Sequence, residues 1–395
     1  MLPISETFEF SYQKTDLVYG RGSIRRLGER LDEYGLERAL VVTGSHVGAN
    51  PNVMESVSAG LGDCLLSTFD KTTPEKLGTT VFEGIEVMER ENPDVLIGVG
   101  GGSSLDTARQ MSVFNADGRS LSDYREAALD GRLDPPDPKD PLTPVVVVPT
   151  TFAGADFSSG GSIEILNPDA SPTGQPVRTS GSIAPKAVVY DPDLFETTPM
   201  GALAGSAMNG FNKGIETPYA RNATPITDAT AIQGLRLLSD ALPRLPDDPE
   251  AMDQAVAGSL LVQFESRTSI VHAFGHAFSQ RYDLQQGVAH AIVVPHVLRY
   301  LFEHTYVRRE LLAEGLAIDS DSMDDERLSE AIIDEVTAVR DSLDLPVGLR
   351  ALDSVQKEHF SAITNAILND AGMANAPEEL DPTEDEVEEV LHNAW

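Results

Sequence analysis

The sequence predicts an N-terminal α/β domain with a parallel sheet, followed by an all-helical C-terminal domain. In the first half, short β-branched runs alternate with helical patterns, which is typical of a parallel sheet covered by helices on both faces. After about residue 193 such runs stop and only helical periodicity remains. Because 395 residues exceed one ordinary hydrophobic core, we expect two domains, 1–191 and 192–395, with the boundary in the turn at 191–199.

Four apolar runs predict the strands, and the segments between them predict helices. Two helical patterns are IRRLGERLDEYG and KLGTTVFEGIEVMEREN, and AALDGRLDPPDPKDPLT predicts a surface loop. Near the C-terminus, DPTEDEVEEVL places a capping residue before a final helix. The four strand runs are RALVVTG (38–44), DVLIGVGGGSS (94–104), PLTPVVVVPTT (141–151) and KAVVYDP (186–192).

The charge balance is strongly acidic along the whole chain. Lys and Arg number 29 against 63 Asp and Glu, a net charge of −34. Such self-repulsion destabilises a compact fold in dilute buffer, and it is screened at molar salt, where the Debye length is about 3 Å. We therefore expect a salt-adapted protein with a haloarchaeal type of composition; an ordinary acidic mesophilic protein is the alternative. Nucleic acid and anionic membranes are excluded as favourable partners.

Other features narrow the class of protein. No apolar run is long enough to span a membrane, and the N-terminus lacks the basic and apolar regions of a signal peptide. The single Cys64 excludes an intramolecular disulfide and a thiolate metal cluster. These features predict a cytoplasmic protein.

Two segments at strand ends predict a binding site for phosphate groups. VGGGSSLDTAR (99–109) follows a strand and opens a helix, so its backbone can approach a pyrophosphate at the helix N-terminus. It departs from the GxGxxG fingerprint, which makes an ordinary Rossmann domain less favoured; a purely structural turn is the alternative. In PTTFAGADFSS (149–159), Thr150 and Thr151 could donate hydrogen bonds to phosphate or ribose, although a plain strand-to-loop turn has the same pattern.

Two helical segments predict a chemical site in the second half. In HAFGHAF, His272 and His276 are four residues apart and share one helix face. His290 and His296 follow on a second apolar helix, where core positions are the simpler interpretation. In AMNGFNKGIE, Asn209 and Lys213 also share a face, but an amide and an ammonium are poor ligands for a cation.

These motifs resemble those of the iron-containing alcohol dehydrogenase family. GGGSSLDTAR, PTT…AG, VVYDPDL, AMN…K…E…Y and HAFGH…G…H…PH occur in the family's order, and the resemblance covers nearly the whole chain. Within the family, PTTFAGAD and MNGFNKGIETPYA are most similar to the maleylacetate reductase branch. The resemblance implies a fold like that of dehydroquinate synthase, an NAD(P)-binding α/β domain, a helical catalytic domain, hydride transfer between NAD(P) and a small substrate, and a homodimer.

The resemblance also implies which residues bind the cofactor. The residue that binds the adenosine ribose in NAD-preferring members falls on Gly44, and a small residue there leaves room for a 2′-phosphate, which favours NADP over NAD. The remaining cofactor positions are Gly100, Gly101, Gly102, Ser103, Asp106, Thr150 and Thr151.

At the family's metal site only one ligand is retained. The four ligand positions map onto Asn209, Lys213, His272 and Gln286. Two amides, one imidazole and an ammonium make a poor cation site, so we expect no catalytic metal. The maleylacetate reductases also lack the Asp that Asn209 replaces.

The expected mechanism assigns a role to each of these side chains. The ammonium of Lys213 would take the place of the cation beside the carbonyl oxygen, with Asn209 and Gln286 as neutral hydrogen-bond donors. His276 would relay a proton and His272 would bind the substrate. Arg178 would pair with a substrate carboxylate, which predicts a small anionic carbonyl compound or alcohol.

Three alternatives stay open at this point. Lys213 could form a structural ion pair with Glu216. The metal ligands could be His276, His290 and Asp283, which would make the protein a conventional iron or zinc alcohol dehydrogenase. The chain could also be a non-redox relative, either a lyase like dehydroquinate synthase or a silent nucleotide-binding protein.

Overall fold

The computed structural model describes residues 8, 10, 14–245 and 248–395. Its contacts divide the chain into two compact units. The sheet unit consists of the described residues of Tyr12–Thr151 and Ala155–Thr198. The helical unit contains Pro199–Trp395 together with Phe152–Gly154. The two units divide after Thr198, and the domain bounds 1–191 and 192–395 stay a prediction. The transfer of Phe152–Gly154 to the helical unit has no signal in the sequence.

The sheet unit contains a six-stranded parallel sheet, as predicted, in the order β1-β8-β5-β4-β2-β3. Its four inner strands are the four runs identified in the sequence, and they are almost fully buried because helices cover both faces. The two edge strands and a separate antiparallel pair, β6–β7, were not predicted. The strands are β1 (Asp16–Tyr19), β2 (Ala39–Gly44), β3 (Leu65–Thr72), β4 (Val95–Gly100), β5 (Val145–Pro149), β6 (Ile163–Leu166), β7 (Val177–Thr179) and β8 (Ala187–Tyr190).

The helices of the sheet unit include both helical patterns read from the sequence. One core of the unit packs Val41, Ile97 and Val148 of the sheet against Leu27 and Leu31 of the first helix. The first three residues of the predicted Pro/Asp-rich loop (127–143) belong to α6, and the loop begins after Leu129. The helices are α1 (Leu27–Tyr34), α2 (Ser45–Gly48), α3 (Pro51–Leu61), α4 (Gly78–Glu91), α5 (Gly102–Asp117), α6 (Leu121–Leu129) and α7 (Pro192–Phe195).

The helical unit contains no strand in its described part, as the sequence predicts. Helices α8 and α12 cross closely at two glycines, because a Cβ on Gly287 would lie 1.7 Å from the carbonyl oxygen of Gly205. The last helix begins with the predicted cap, in which Thr383 and Glu386 form a capping box. The helices are α8 (Met200–Glu216), α9 (Pro225–Ala241), α10 (Glu250–Gln263), α11 (Ile270–Arg281), α12 (Gln286–His304), α13 (Arg309–Gly315), α14 (Asp325–Ser342), α15 (Phe360–Leu368) and α16 (Glu384–Asn393).

None of the helices in the described ranges combines the length and the apolar composition that a membrane crossing requires.

Candidate active site

Lys213 is a buried cation in the middle of the helical unit. It lies one turn after Asn209 on α8, and only 8% of its surface is exposed. Its Nζ donates a hydrogen bond to the carbonyl oxygen of Gly154 at 2.6 Å. Gly154 has a φ of +87°, and a Cβ there would lie 2.2 Å from the Lys213 Nζ. The close approach of the ammonium to this backbone therefore requires glycine at position 154.

The segment Phe152–Gly154 is held by α8 and α10. The N–H of Phe152 donates to the Oγ of Ser206 at 3.2 Å. The Nε2 of Gln263 donates to the carbonyl oxygen of Phe152 at 3.2 Å and to the Oγ of Ser259 at 2.6 Å. Gln263 thus fixes the backbone that contacts the ammonium. Neither Gln263 nor Gly154 was identified from the sequence, because each acts through a partner distant in the chain.

His272, on α11, forms hydrogen bonds with two residues of α8. Its N–H donates to Oε1 of Glu216 at 3.1 Å, its Nδ1 is hydrogen-bonded to Oε2 of the same carboxylate, and its Nε2 lies 3.1 Å from Oδ1 of Asn209. Glu216, considered above as a partner of Lys213, therefore has its carboxyl group against His272 and the N-terminus of α11.

Burial shifts the pKa values of both Glu216 and His272. Burial raises the pKa of Glu216 to about 8, against the opposing effect of hydrogen bonds from backbone N–H groups at the start of α11. Burial also lowers the pKa of His272 well below its usual value, and the nearby positive charge of Lys213 lowers it further. His272 is therefore a neutral imidazole at pH 7, suited to hydrogen bonding rather than to carrying charge.

His276 lies at the exposed end of the same cluster. Its Nδ1 is 3.1 Å from both carboxylate oxygens of Asp370, and its ring centroid is 6.2 Å from that of His272. Its side chain is 39% exposed. His276 is thus the histidine of this cluster that can exchange protons with solvent.

Two polar side chains on α12, those of His290 and Gln286, have buried nitrogen atoms close to α11. The ring of His290 lies 4.4 Å from that of His272, centroid to centroid, and neither ring nitrogen has a hydrogen-bond partner among the described residues. The Nε2 of Gln286 is also buried without a partner in that part of the chain. Both pack against Gly275, where a Cβ would lie 2.0 Å from Nε2 of His290 and 2.9 Å from Cγ of Gln286. The structure thus gathers all five predicted catalytic residues around α11.

In the sheet unit, the glycine-rich segment has the geometry of a phosphate-binding turn. Gly100 ends β4 with a φ of +131°, Gly101 precedes α5, and Gly102 opens the helix. The N-cap residue, Gly101, has no side chain to cap the helix, so the first backbone N–H groups are available to an anion. Ser103 belongs to this first turn, and the side chain of Thr151 lies beside Gly101.

Two other predicted cofactor residues have structural partners here. Both oxygens of Asp106 are occupied, one by Arg109 at 3.0 Å and the other by Lys76 at 2.7 Å. Thr150 is buried, and its N–H donates to the carbonyl oxygen of Gly100 at 3.0 Å. These contacts shape the turn, and the direct roles of Asp106 and Thr150 toward a cofactor stay predictions.

Gly44 and Arg178 lie elsewhere in the sheet unit. Gly44 ends β2, and a Cβ there would lie 3.2 Å from the carbonyl oxygen of Thr72, so packing against β3 already favours glycine. Arg178 is on β7, with a guanidinium nitrogen 3.2 Å from Oε2 of Glu164. Arg178 and Lys213 therefore belong to different units of the chain.

Comparison with known proteins identifies the family. Residues 14–192 match the model of the iron-containing alcohol dehydrogenases, and residues 203–395 match that of the C-terminal domain of Fe-containing alcohol dehydrogenases. The chain belongs to the iron-containing alcohol dehydrogenase family. It is therefore an oxidoreductase, and the resemblance read from its motifs is confirmed.

Relatives of known activity match across most or all of the chain. The NAD-dependent methanol dehydrogenase of Bacillus methanolicus is 28% identical over 390 residues, 95% of this chain and 97% of that protein. A maleylacetate reductase of Sphingobium indicum is 26% identical over 293 residues, 72% of each chain. The crystal structure of a 1,3-propanediol oxidoreductase superposes with a TM-score of 0.86 at 24% identity, covering 98% of this chain and 100% of that one, which confirms the fold.

For a member of an iron-containing family, the donor set on α8, α11 and α12 is unusual. Asn209, Lys213, His272 and Gln286 provide one imidazole, two amides and one ammonium. Within the described ranges, no three His, Cys, Asp or Glu side chains are placed to hold a metal ion, so the alternative ligand set of His276, His290 and Asp283 is not assembled either. These residues do not fit iron or zinc, because such ions require several anionic or imidazole ligands and are repelled by an ammonium.

Proposed function

We propose that this chain is an NAD(P)-dependent carbonyl reductase or alcohol dehydrogenase that works without a catalytic metal, on a small anionic substrate. The observation that carries the proposal is the buried ammonium of Lys213 within a set of residues that does not suit a cation. The relatives include an NAD-dependent dehydrogenase and a maleylacetate reductase, which supports nicotinamide as the cofactor and hydride transfer as the reaction.

The reaction converts a carbonyl group into an alcohol. A bound nicotinamide cofactor, NAD(P)H, would supply the hydride to the carbonyl carbon and become NAD(P)⁺, and the carbonyl oxygen would gain negative charge and then a proton. Lys213 stabilises the developing oxyanion by charge and hydrogen bonding, in a site where low polarity strengthens the interaction. The unpartnered Nε2 of Gln286 provides a neutral donor. The Oδ1 of Asn209 faces His272, and its amide N–H groups would serve as further neutral donors.

The remaining residues bind the substrate and move the proton. His272 is neutral, and because its ring nitrogens face Glu216 and Asn209, it acts on the substrate by orienting the amide of Asn209. His276 is partly exposed and relays the proton between solvent and the site. Arg178 pairs with a carboxylate of the substrate. The turn at Gly100–Gly102 and Thr151 holds the pyrophosphate of the cofactor, and Gly44 favours NADP over NAD.

We also propose that the enzyme is a homodimer adapted to high salt. The net charge of −34 supports the adaptation, because the repulsion between carboxylates weakens as salt shortens the Debye length. The midpoint of thermal unfolding is expected to rise steadily between 0.1 M and 3 M KCl. A midpoint that is unchanged or falls over this range would contradict the adaptation.

The first experiment combines metal analysis with chelation. Protein purified without oxygen, in molar salt and without an affinity tag, is measured for iron and zinc by plasma mass spectrometry. The oxidation of NADH and NADPH is then followed with small carboxylated aldehydes and ketones, with and without EDTA. We expect substoichiometric metal and chelator-insensitive turnover. Stoichiometric iron or zinc, with activity that EDTA removes, would show that the metal-independent mechanism is wrong.

Two variants test the role of Lys213. Lys213→Met keeps the length and the apolar stem but removes the charge, and we expect kcat to fall by about 10²- to 10³-fold, as when one oxyanion donor is lost. Lys213→Arg keeps the charge with a larger head group, and we expect an intermediate loss. Equal kcat values for wild type and Lys213→Met would refute the role of the ammonium.

A further inference from the structure

Asp370 makes a two-oxygen contact with His276 that the proposed function does not use. Nδ1 of His276 lies 3.1 Å from Oδ1 and 3.1 Å from Oδ2 of Asp370. A carboxylate can only accept hydrogen bonds, so the Nδ1 that faces it must carry the proton. The contact therefore selects one tautomer of His276 and leaves Nε2 as the nitrogen that can take up or release a proton.

The carboxylate of Asp370 is itself held in place. Its Oδ1 accepts a hydrogen bond from the N–H of Gly372 at 2.8 Å, at the start of the short 3-10 helix Ala371–Asn375. A Cβ on Gly372 would lie 2.8 Å from the carbonyl oxygen of Ser269, so this segment packs directly against the start of α11. Asn375 adds a hydrogen bond from its Nδ2 to the carbonyl oxygen of Thr268 at 3.2 Å. The carboxylate is thus fixed relative to the helix that carries His276.

The side chains of this cluster differ in their exposure to solvent. The side chain of His276 is 39% exposed, that of Asp370 12% and that of His272 4%. His276 is therefore the link between solvent and the buried histidine. A flexible imidazole at such a position would sample several orientations, and an anchored carboxylate removes that freedom.

We propose that Asp370 is a positioning residue for proton transfer: it holds His276 in the Nδ1-protonated tautomer with Nε2 free to exchange the proton that the substrate oxygen gains. This inference rests on the proposed reductase function. In carbonyl reduction, the doubly protonated ring of His276 gives its Nε2 proton to the oxygen as the carbonyl carbon gains a hydride from NAD(P)H; this leaves the neutral ring protonated at Nδ1, and solvent then returns a proton to Nε2. In alcohol oxidation the same steps run in reverse.

A structural explanation competes with this one, because Asp370 also caps the short helix that follows it. Asp370→Asn separates the two roles. Asparagine is as good a capping residue as aspartate, so the cap is retained. The negative charge that faces Nδ1 of His276 is lost. Asp324→Asn is the matched control, since Asp324 caps α14 through the N–H of Arg327 at 2.9 Å and lies away from the cluster.

The test is the steady-state rate of NAD(P)H oxidation, together with cofactor affinity measured by fluorescence. Asp370→Asn is expected to lower kcat by about 10- to 100-fold, as losses of orienting partners do. The KM for the carbonyl substrate and the Kd for NAD(P)H should stay within about twofold of wild type, because binding is not affected. Asp370→Glu should recover part of kcat, and Asp324→Asn should match wild type.

A double mutant decides whether Asp370 acts through His276. If it does, adding Asp370→Asn to His276→Ala causes no further loss, so the two effects are not additive. A multiplicative loss, or a kcat of Asp370→Asn equal to that of wild type, would overturn the positioning role while leaving the reductase function intact. A wild-type protein that oxidises no NAD(P)H with any carbonyl would overturn the proposed function, and this inference with it.

Discussion

Gly154→Ala tests whether the position of the Lys213 ammonium determines the rate. The added methyl group would lie 2.2 Å from Nζ and 3.0 Å from Cε of Lys213. The ammonium must therefore retreat by about 1 Å to restore ordinary van der Waals contact, which breaks its 2.6 Å hydrogen bond to the Gly154 carbonyl oxygen. A displacement of that size at a reacting centre can cost about 10²-fold in rate, so we expect kcat/KM to fall by about 10²-fold.

The same change also has a cost to stability that must be separated from the effect on rate. Gly154 has a φ of +87°, and alanine in the left-handed region costs about 1 kcal/mol of unfolding free energy. Gly35→Ala is the control, because Gly35 has a φ of +71° with nothing within 4 Å of a Cβ. It should lose the same stability in urea unfolding and keep wild-type kcat/KM. If the kcat/KM values of the two variants agree within about twofold, the reasoning from the ammonium's position is refuted.

Two further predictions concern stability, one in the helical unit and one in the sheet unit. Gly275→Ala should lower the unfolding free energy by about 1–3 kcal/mol in a urea titration, since the new Cβ would lie 2.0 Å from Nε2 of His290; an unchanged midpoint would show that this part of the core can relax. Burial by itself would raise the pKa of Asp117, but hydrogen bonds from Arg119 and Tyr124 outweigh it and lower the pKa to about 2. Asp117 thus adds stability above pH 4 that is lost as pH falls toward 2. Asp117→Asn should therefore cost about 1–2 kcal/mol at pH 7, with the difference from wild type shrinking below pH 4; a difference constant from pH 7 to pH 3 would contradict the lowered pKa.

The strands that the sequence predicted and those it missed differ in burial. The inner strands β2, β4, β5 and β8 are buried on both faces, so each is a nearly continuous apolar run. The edge strand β1 is mostly exposed, and β3 mixes polar and apolar residues. Neither strand contains an apolar run that would distinguish it from a loop in the sequence, because an edge strand meets solvent and needs fewer apolar residues.

The residues of the candidate site also fall into two sets, those that the sequence could bring together and those that it could not. Asn209 with Lys213, and His272 with His276, could be paired from the sequence, because a helix brings residues four apart onto one face. Gly154, 59 residues from Lys213, and Asp370, 94 residues from His276, could not. Their own neighbours in the chain carry no sign of the contact.

The sequence by itself determined which family the chain resembles, and it predicted which helices carry the chemistry and that the family's metal ligands are replaced. It did so because motifs and helical periodicity are properties of residues close together in the chain. Only the tertiary structure decided what each side chain contacts: Lys213 meets a loop carbonyl, Glu216 meets His272, and Asp370 meets His276. Those contacts depend on how α8, α11 and the segments around them pack, which no local pattern records.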